Sequence, residues 1–189
     1  MKSQKPQTVH YRRKREQRTN YNKRRRLLLS QGNRLVVRFT GSKIIAQVVS
    51  FTPLGDKVLV GVDSSSLAKQ GWNYSLKNTP AAYLTGFMLG KTAVKSGCTN
   101  AVLDAGFKTP RAKGKSYAFL KGVLDAGLQV PCGADDIFPS EDRIMGKHIA
   151  DFAAKSKGGA QFAQYLKSKA VPDQIATQFK AVKQKLGGK

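Results

Sequence analysis

The chain has 189 residues, with 34 Lys or Arg against 11 Asp or Glu, for a formal charge of +23 and an isoelectric point near 10.3. A hydrophobic content of 40% is enough to bury a core, which excludes a chain disordered throughout. No stretch approaches the roughly 20 apolar residues of a membrane-spanning helix, and no apolar run follows the basic start as in a secretory signal, so a soluble protein that stays where it is made is expected.

The charge is concentrated at the start. Met1 to Arg26 carries eleven Lys or Arg and one acid, and no further acid occurs before Asp56. Within it, Tyr11 to Arg26 (YRRKREQRTNYNKRRR) holds Arg12, Arg13, Lys14, Arg15, Arg18, Lys23, Arg24, Arg25 and Arg26, opposed only by Glu16 and interleaved with Tyr11 and Tyr21. Such a run repels itself and buries little apolar surface, so it needs a polyanion to lie on. Tyrosines set among the cations favour nucleic acid over a solvated basic face or a nuclear import tag. An anionic membrane fits less well, because the arm lacks the Trp, Phe and Leu face of an interfacial helix. Thr19 and Asn20 mark a helix start, and Tyr21 to Ser30 is expected as a short helix closed by Gly32. Its cations then face the partner, and Leu27, Leu28 and Leu29 anchor its end to the core.

Leu35 to Thr40 and Lys43 to Ser50 are β-branched runs separated by Gly41 and Ser42, which suits a two-residue hairpin with Gly first. With that turn, Thr40 faces Lys43, Arg38 faces Ile45 and Val36 faces Gln47. Leu35, Val37, Phe39, Ile44, Ala46 and Val48 then form an apolar face, and Arg38, Lys43 and Gln47 lie on the other. A slip of one residue would destroy that separation. Pro53, Gly55 and Asp56 make the next turn, and Lys57 to Asp63 completes an antiparallel meander. In the following connection Trp72 either covers a core edge, the common fate of a lone Trp, or stacks on an RNA base.

Thr79 with Pro80 opens a helix that runs to about Lys95 and stops at Gly97, with Gly86 and Gly90 allowing close approach to a sheet. Gly90, Lys91 and Thr92 imitate the end of a phosphate-binding loop, but Thr85 stands where the first glycine is required, so nucleotide binding there is rejected. Ala101 to Phe107 reads as a fourth strand, parallel because a helix precedes it. The loop Thr109 to Lys115, with Arg111, Lys113 and Lys115, is either merely solvated or, with Lys108 and from its place after a strand end, a second backbone contact. Ser116 to Leu128 is an amphipathic helix, and Gln129 to Cys132 a short last strand. Beyond an acidic cluster at Asp135, Asp136, Glu141 and Asp142, a helix from Ser140 toward Ala154 is broken by Gly158 and Gly159. Further helices follow around Ala160 to Ser168 and from Asp173 to Leu186. Cys98 and Cys132 form no CxxC pair and are expected to be small buried apolar residues in a reducing compartment.

This order gives an α/β fold: a mixed sheet built from a three-strand antiparallel meander followed by helix, strand and helix. The expected organisation is a basic arm at 1–32, a core at 33–134 and a helical C-terminal extension at 135–189. The arrangement can resemble ribonuclease H, so a metal-dependent nuclease has to be weighed. Such chemistry needs converging carboxylates, whereas the first strand presents Arg38 where an acid is required. Asp63 and Asp104 are left without that partner, and hydrogen bonding at a strand end is the expected role of Asp104. His10 and His148 have no nucleophile at a recognisable spacing. No catalytic residue, metal, cofactor or small-molecule substrate is expected, and a general nucleic-acid-compacting protein stands as a third reading.

The segments RRKREQRTNYNKRRRLL, RLVVRFTGSKIIAQVV, PAAYLTGFMLGKTA, AVLDAGF and GVLDAGLQVPCG resemble, in order and spacing, the large-subunit ribosomal protein family that binds 5S ribosomal RNA, in its archaeal form. The resemblance runs from the arm to about Ile149 and fades past Lys155. It implies a ribonuclease H-like core without catalysis, in the central protuberance of the cytoplasmic ribosome. The implied partners are 5S RNA, the large ribosomal RNA and neighbouring proteins, among them another 5S-binding protein. On the arm it points to Arg12, Arg13, Arg15, Arg18, Tyr21, Arg24, Arg25 and Arg26 as RNA contacts. On the platform it points to Arg38, Lys43 and Gln47, with Arg34 and Ser42 beside them.

Overall fold

Two β-branched runs with one wholly apolar face must have that face covered, and helices cover it in the computed structural model, which describes residues 9–133, 135–156, 160–163, 165 and 170–187. Strands β1 (Arg34–Phe39), β2 (Ile44–Thr52) and β3 (Gly55–Asp63) form the antiparallel meander. Strand β4 (Val102–Asp104) lies parallel to β1, so the sheet order is β3-β2-β1-β4. Val36 pairs with Gln47 and Arg38 with Ile45, the register that alternation alone required. Leu35, Val37, Ile44, Ala46 and Val48 are buried, with Phe39 packed against them.

The turn itself differs from expectation. Gly41 takes no positive φ, so the turn is not the type that demands glycine first. Thr40 closes it instead, its Oγ1 accepting from the Lys43 N–H at 3.0 Å. Strand β3 also starts earlier than its β-branched run and carries a bulge: Val48 pairs with Val60 but Val49 with Val58, which leaves Leu59 as the extra residue. Paired residues share a face. The bulge therefore gives Val60 to the core while Val58 and Asp56 join the face that holds Arg34.

The helices are α1 (Arg12–Arg15), α2 (Tyr21–Leu28), α3 (Ser66–Lys69), α4 (Thr79–Lys95), α5 (Lys115–Asp125), α6 (Glu141–Met145), α7 (Lys147–Lys155) and α8 (Ile175–Gly187). Among the described residues none is long and apolar enough to cross a membrane. Helix α4 is buried on more than one side, which is why it reads as apolar nearly all round. Ala82, Leu89 and Ala93 join the sheet and Phe119, Leu120 and Val123 of α5 in one cluster. Tyr83, Leu84 and Phe87 join Trp72, Ile144, Ile175, Phe179 and Val182 in a second. The C-terminal helices thus pack on the far side of α4. Asn78, rather than Thr79, caps α4, its Oδ1 accepting from the Ala81 N–H at 2.8 Å.

Gly86 and Gly90 meet α5 and not a sheet. A Cβ at Gly86 would lie 2.1 Å from the Phe119 carbonyl oxygen, one at Gly90 2.6 Å from Ala126 Cβ, and one at Gly122 2.2 Å from the Tyr83 carbonyl oxygen. Each helix thus offers a glycine to the backbone of the other. No side chain fits between them.

Other boundaries move for local reasons. The fourth strand shortens because Gly106, at φ +66, turns the chain soon after Asp104. Gln129 makes a single parallel bridge to Asn100 in place of a strand. Gly146, at φ +89, splits the expected Ser140–Ala154 helix into α6 and α7, and a Cβ there would sit 3.0 Å from Pro80. Cys98 is buried, but Cys132 is exposed. Gly158, Gly159 and much of the segment around 160–168 lie outside the described residues.

Gly86→Ala and Gly122→Ala are each expected to lower unfolding free energy by about 2 kcal/mol or more, overpacking outweighing alanine's helix propensity. Gly41→Ala, with open space around it, is expected to stay within about 0.5 kcal/mol of the parent. Urea denaturation checks the contrast. Equal small effects at all three positions would show that the helices part freely.

Candidate nucleic-acid interface

The alternation that buries Leu35 and Val37 turns Arg34, Val36 and Arg38 to the opposite face, beside Gln47 and Val49 of β2. The parallel strand β4 sets Asp104 level with Val36, and the bulged β3 adds Asp56. A row of alternating charges results. Arg24 Nη2 lies 2.9 Å from Asp56 Oδ1, and Arg34 Nη2 lies 2.6 Å from Asp56 Oδ2. Arg34 Nη1 and Arg38 Nη2 each lie 3.2 Å from an oxygen of Asp104. Asp104 Oδ1 also accepts from the Gly106 N–H at 2.8 Å, and its carbonyl accepts from Arg38 Nη1 at 2.6 Å. Arg34 is 4% exposed and Asp104 6%. Charges so deep persist only when paired, and each here has an opposite partner.

Helix α2 lies across this row and is held by polar contacts. Asn20 caps it, Oδ1 accepting from the Lys23 N–H at 3.1 Å; Lys23 Nζ donates to the Gly106 carbonyl at 3.1 Å, and Arg24 reaches Asp56. No residue of α2 is buried. The expected leucine anchor is corrected accordingly: Leu27 and Leu28 are half-buried and Leu29 is 76% exposed. Gln31, at φ +52, makes the left-handed turn assigned to Gly32. The short helix α1 is wholly exposed, and Glu16 pairs with Arg12 at 3.6 Å and Arg18 at 3.1 Å. The rings of Tyr11 and Tyr21 lie 5.5 Å apart, and Tyr11 is 75% exposed. Lys14, Arg15, Arg25 and Arg26 are exposed as well.

Arg13, Arg18, Lys23, Arg24, Arg34, Arg38 and Gln47 therefore surround one cleft between the arm and the sheet. Arg34 is a buried link within it, its two terminal nitrogens taken by Asp56 and Asp104. Lys43 pairs with Asp63 at 2.6 Å. That hydrogen bond holds the Asp63 carboxyl below its ordinary value, against an opposing contribution from burial. Ser42 is exposed at the turn, and Lys108 donates to the Phe39 carbonyl at 3.2 Å. Lys113 pairs with Asp136 at 3.0 Å, while Arg111 is exposed on the same loop and Lys115 at the first position of α5. Trp72 is removed from the candidates: it is 1% exposed, its Nε1–H donates to the Ser75 carbonyl, and its ring lies edge-on to Tyr74. Asp56 was not singled out from sequence. Its one signal is that it is the first acid after Glu16.

The two carboxylates weighed for metal chemistry are engaged by cations, Asp104 by two guanidinium groups and Asp63 by Lys43. Among the described residues no three His, Cys, Asp or Glu side chains gather as a metal-binding set. The arrangement presents fixed positive charge, exposed tyrosine and the Gln47 amide, which suit a phosphate backbone and unpaired bases.

Comparison with known proteins gives a consistent picture. Residues 5–100 match the family described as ribosomal large subunit proteins 60S L5 and 50S L18. The chain is 46% identical to the large ribosomal subunit protein uL18 of Korarchaeum cryptofilum over 183 residues, 94% of this chain and 93% of that protein. Identity is 43% to the protein of the same name from Methanosphaera stadtmanae and 41% to that from Thermofilum pendens, with the same coverage. The similarity thus extends well past Lys155, where the sequence resemblance was expected to fade.

Asp104→Asn keeps the shape but leaves Arg34 and Arg38 short of a counter-charge, and is expected to cost about 3 kcal/mol in urea denaturation. A loss below about 0.5 kcal/mol would show that the row is dispensable. The Lys43 and Asp63 pair adds stability above the ordinary carboxylate value of 3.8, and this is lost as pH falls through the lowered folded value. Lys43→Met should move the Asp63 titration, followed by carboxyl NMR, back toward 3.8.

Proposed function

Since the chain belongs to the family of large-subunit ribosomal proteins 60S L5 and 50S L18, we propose that it binds 5S ribosomal RNA and ties it to the large ribosomal RNA in the central protuberance. The family makes it a structural constituent of the large ribosomal subunit, at work in the cytoplasm. The observation that carries the finer reading is the exposed basic arm, with its tyrosine pair, docked over the polar face of the sheet by the Arg24–Asp56 ion pair and the Lys23 hydrogen bond to Gly106. The sheet order β3-β2-β1-β4 supports a ribonuclease H-like core used for binding and not for catalysis. The arm at 1–32, the core at 33–134 and the extension at 135–189 divide the work among RNA, scaffold and neighbouring proteins, another 5S-binding protein among them.

The mechanism is electrostatic capture followed by local reading. Each cation that neutralises a phosphate releases a counterion, so affinity falls with salt. That contribution is blind to sequence. Selectivity for 5S RNA comes from shape and from unpaired bases that meet tyrosine rings and the Gln47 amide.

Replacing Arg12, Arg15, Arg25 and Arg26 together by Ala removes exposed cations without touching the buried row. The slope of log affinity for 5S RNA against log salt is expected to flatten by about 3, while a preference over transfer RNA and duplex DNA survives in the parent at high salt. Equal affinity of the parent for all three nucleic acids, collapsing together with salt, would overturn the 5S assignment.

A further inference from the structure

The cleft beneath the arm has two kinds of lining. Its volume is about 300 Å³, the scale of a single small ligand and not of a helix. The sheet contributes an apolar floor of Val36, Val49 and Val58 with the Gln47 amide among them, while Arg13, Arg18 and Lys23 line it from the arm. Two polar groups there are unused. The Arg34 side chain lines the cleft with its Nε buried and without a hydrogen-bond partner, and the Gln47 amide makes no hydrogen bond among the described residues. A buried donor left open costs free energy that a ligand acceptor would recover.

We propose that this cleft receives one unpaired nucleotide of the bound RNA, with its base on the valines, its edge read by Gln47 and the Arg34 Nε–H, and its phosphate on Arg13, Arg18 and Lys23. The inference rests on the RNA-binding reading above and adds the ligand of the cleft. A phosphate alone would use the rim but leave the valines and the amide idle. A base inside a helix cannot turn its edge to a side chain at such depth, so the nucleotide must be extruded or already single-stranded. Gln47 offers a donor and an acceptor side by side, the pattern that adenine complements.

The test uses the full chain and two probes, adenosine 5′-monophosphate and inorganic phosphate at matched ionic strength, observed by NMR at the Arg34 Nε–H and the Gln47 side-chain amide. The monophosphate is expected to shift both signals with a dissociation constant at least fivefold below that of phosphate, and Gln47→Leu to erase the difference. Equal responses to the two probes, or none, would overturn the base site. Gln47→Leu is also expected to weaken 5S RNA about tenfold with its salt slope unchanged. Full RNA affinity in that variant, alongside retained monophosphate selectivity in the parent, would assign the cleft to free nucleotides and overturn its role in RNA. Loss of 5S preference in the parent is read separately, from the salt series, and the monophosphate titration then still decides whether the cleft holds a base.

Discussion

Arg34 is the charge on which the nucleic-acid side of this protein depends. It is buried on the central strand β1 between carboxylates from opposite directions, Asp104 on β4 and Asp56 on β3. Each acid then holds a second cation: Asp104 fixes Arg38 on the platform, and Asp56 fixes Arg24 on the arm. A guanidinium suits this post because its planar fork can meet two acids at once and it does not lose its proton. Through it, the geometry of a buried sheet is transmitted to a helix with no fully buried residue of its own.

The opposite face follows different physics. There the sheet meets α4 and α5 through shape alone, and the two helices approach until the glycines of each meet the backbone of the other. That approach is what lets one helix serve two apolar clusters, with the sheet on one side and the C-terminal helices on another. The charged face is held by few directional contacts and the apolar face by many weak ones. A binding surface can therefore vary in its exposed cations while the scaffold behind it stays fixed.

What could be read from sequence was what a single local rule decides. The hairpin register followed because its two faces differ so sharply that a slip would bury Arg38, and the parallel β4 followed from the intervening helix. The failures share a cause, the choice of partner. Leu27 to Leu29 look like an anchor, yet the arm is held by Lys23 and Arg24, whose partners, the Gly106 carbonyl and the Asp56 carboxylate, lie 83 and 32 residues away. Gly86 announced a close approach without saying to what. Trp72 sits in a polar loop, but tertiary packing closed over it. In β3 the run Val58, Leu59, Val60 offers no alternation, so nothing local marked where the strand changes phase.

That change of phase gives β3 an unusual arithmetic. Asp56 and Val60 are separated by an even interval yet serve opposite faces, because Leu59 is surplus to the ladder. Leu59 is thus the residue of β3 whose removal would leave every other side chain on its present face, restoring plain alternation. One residue more would have no such slack: either Asp56 would turn away from Arg34 and Arg24, or Val60 would leave the core. The strand is tolerant of becoming shorter and intolerant of becoming longer, an asymmetry set by a single leucine at the sheet's edge.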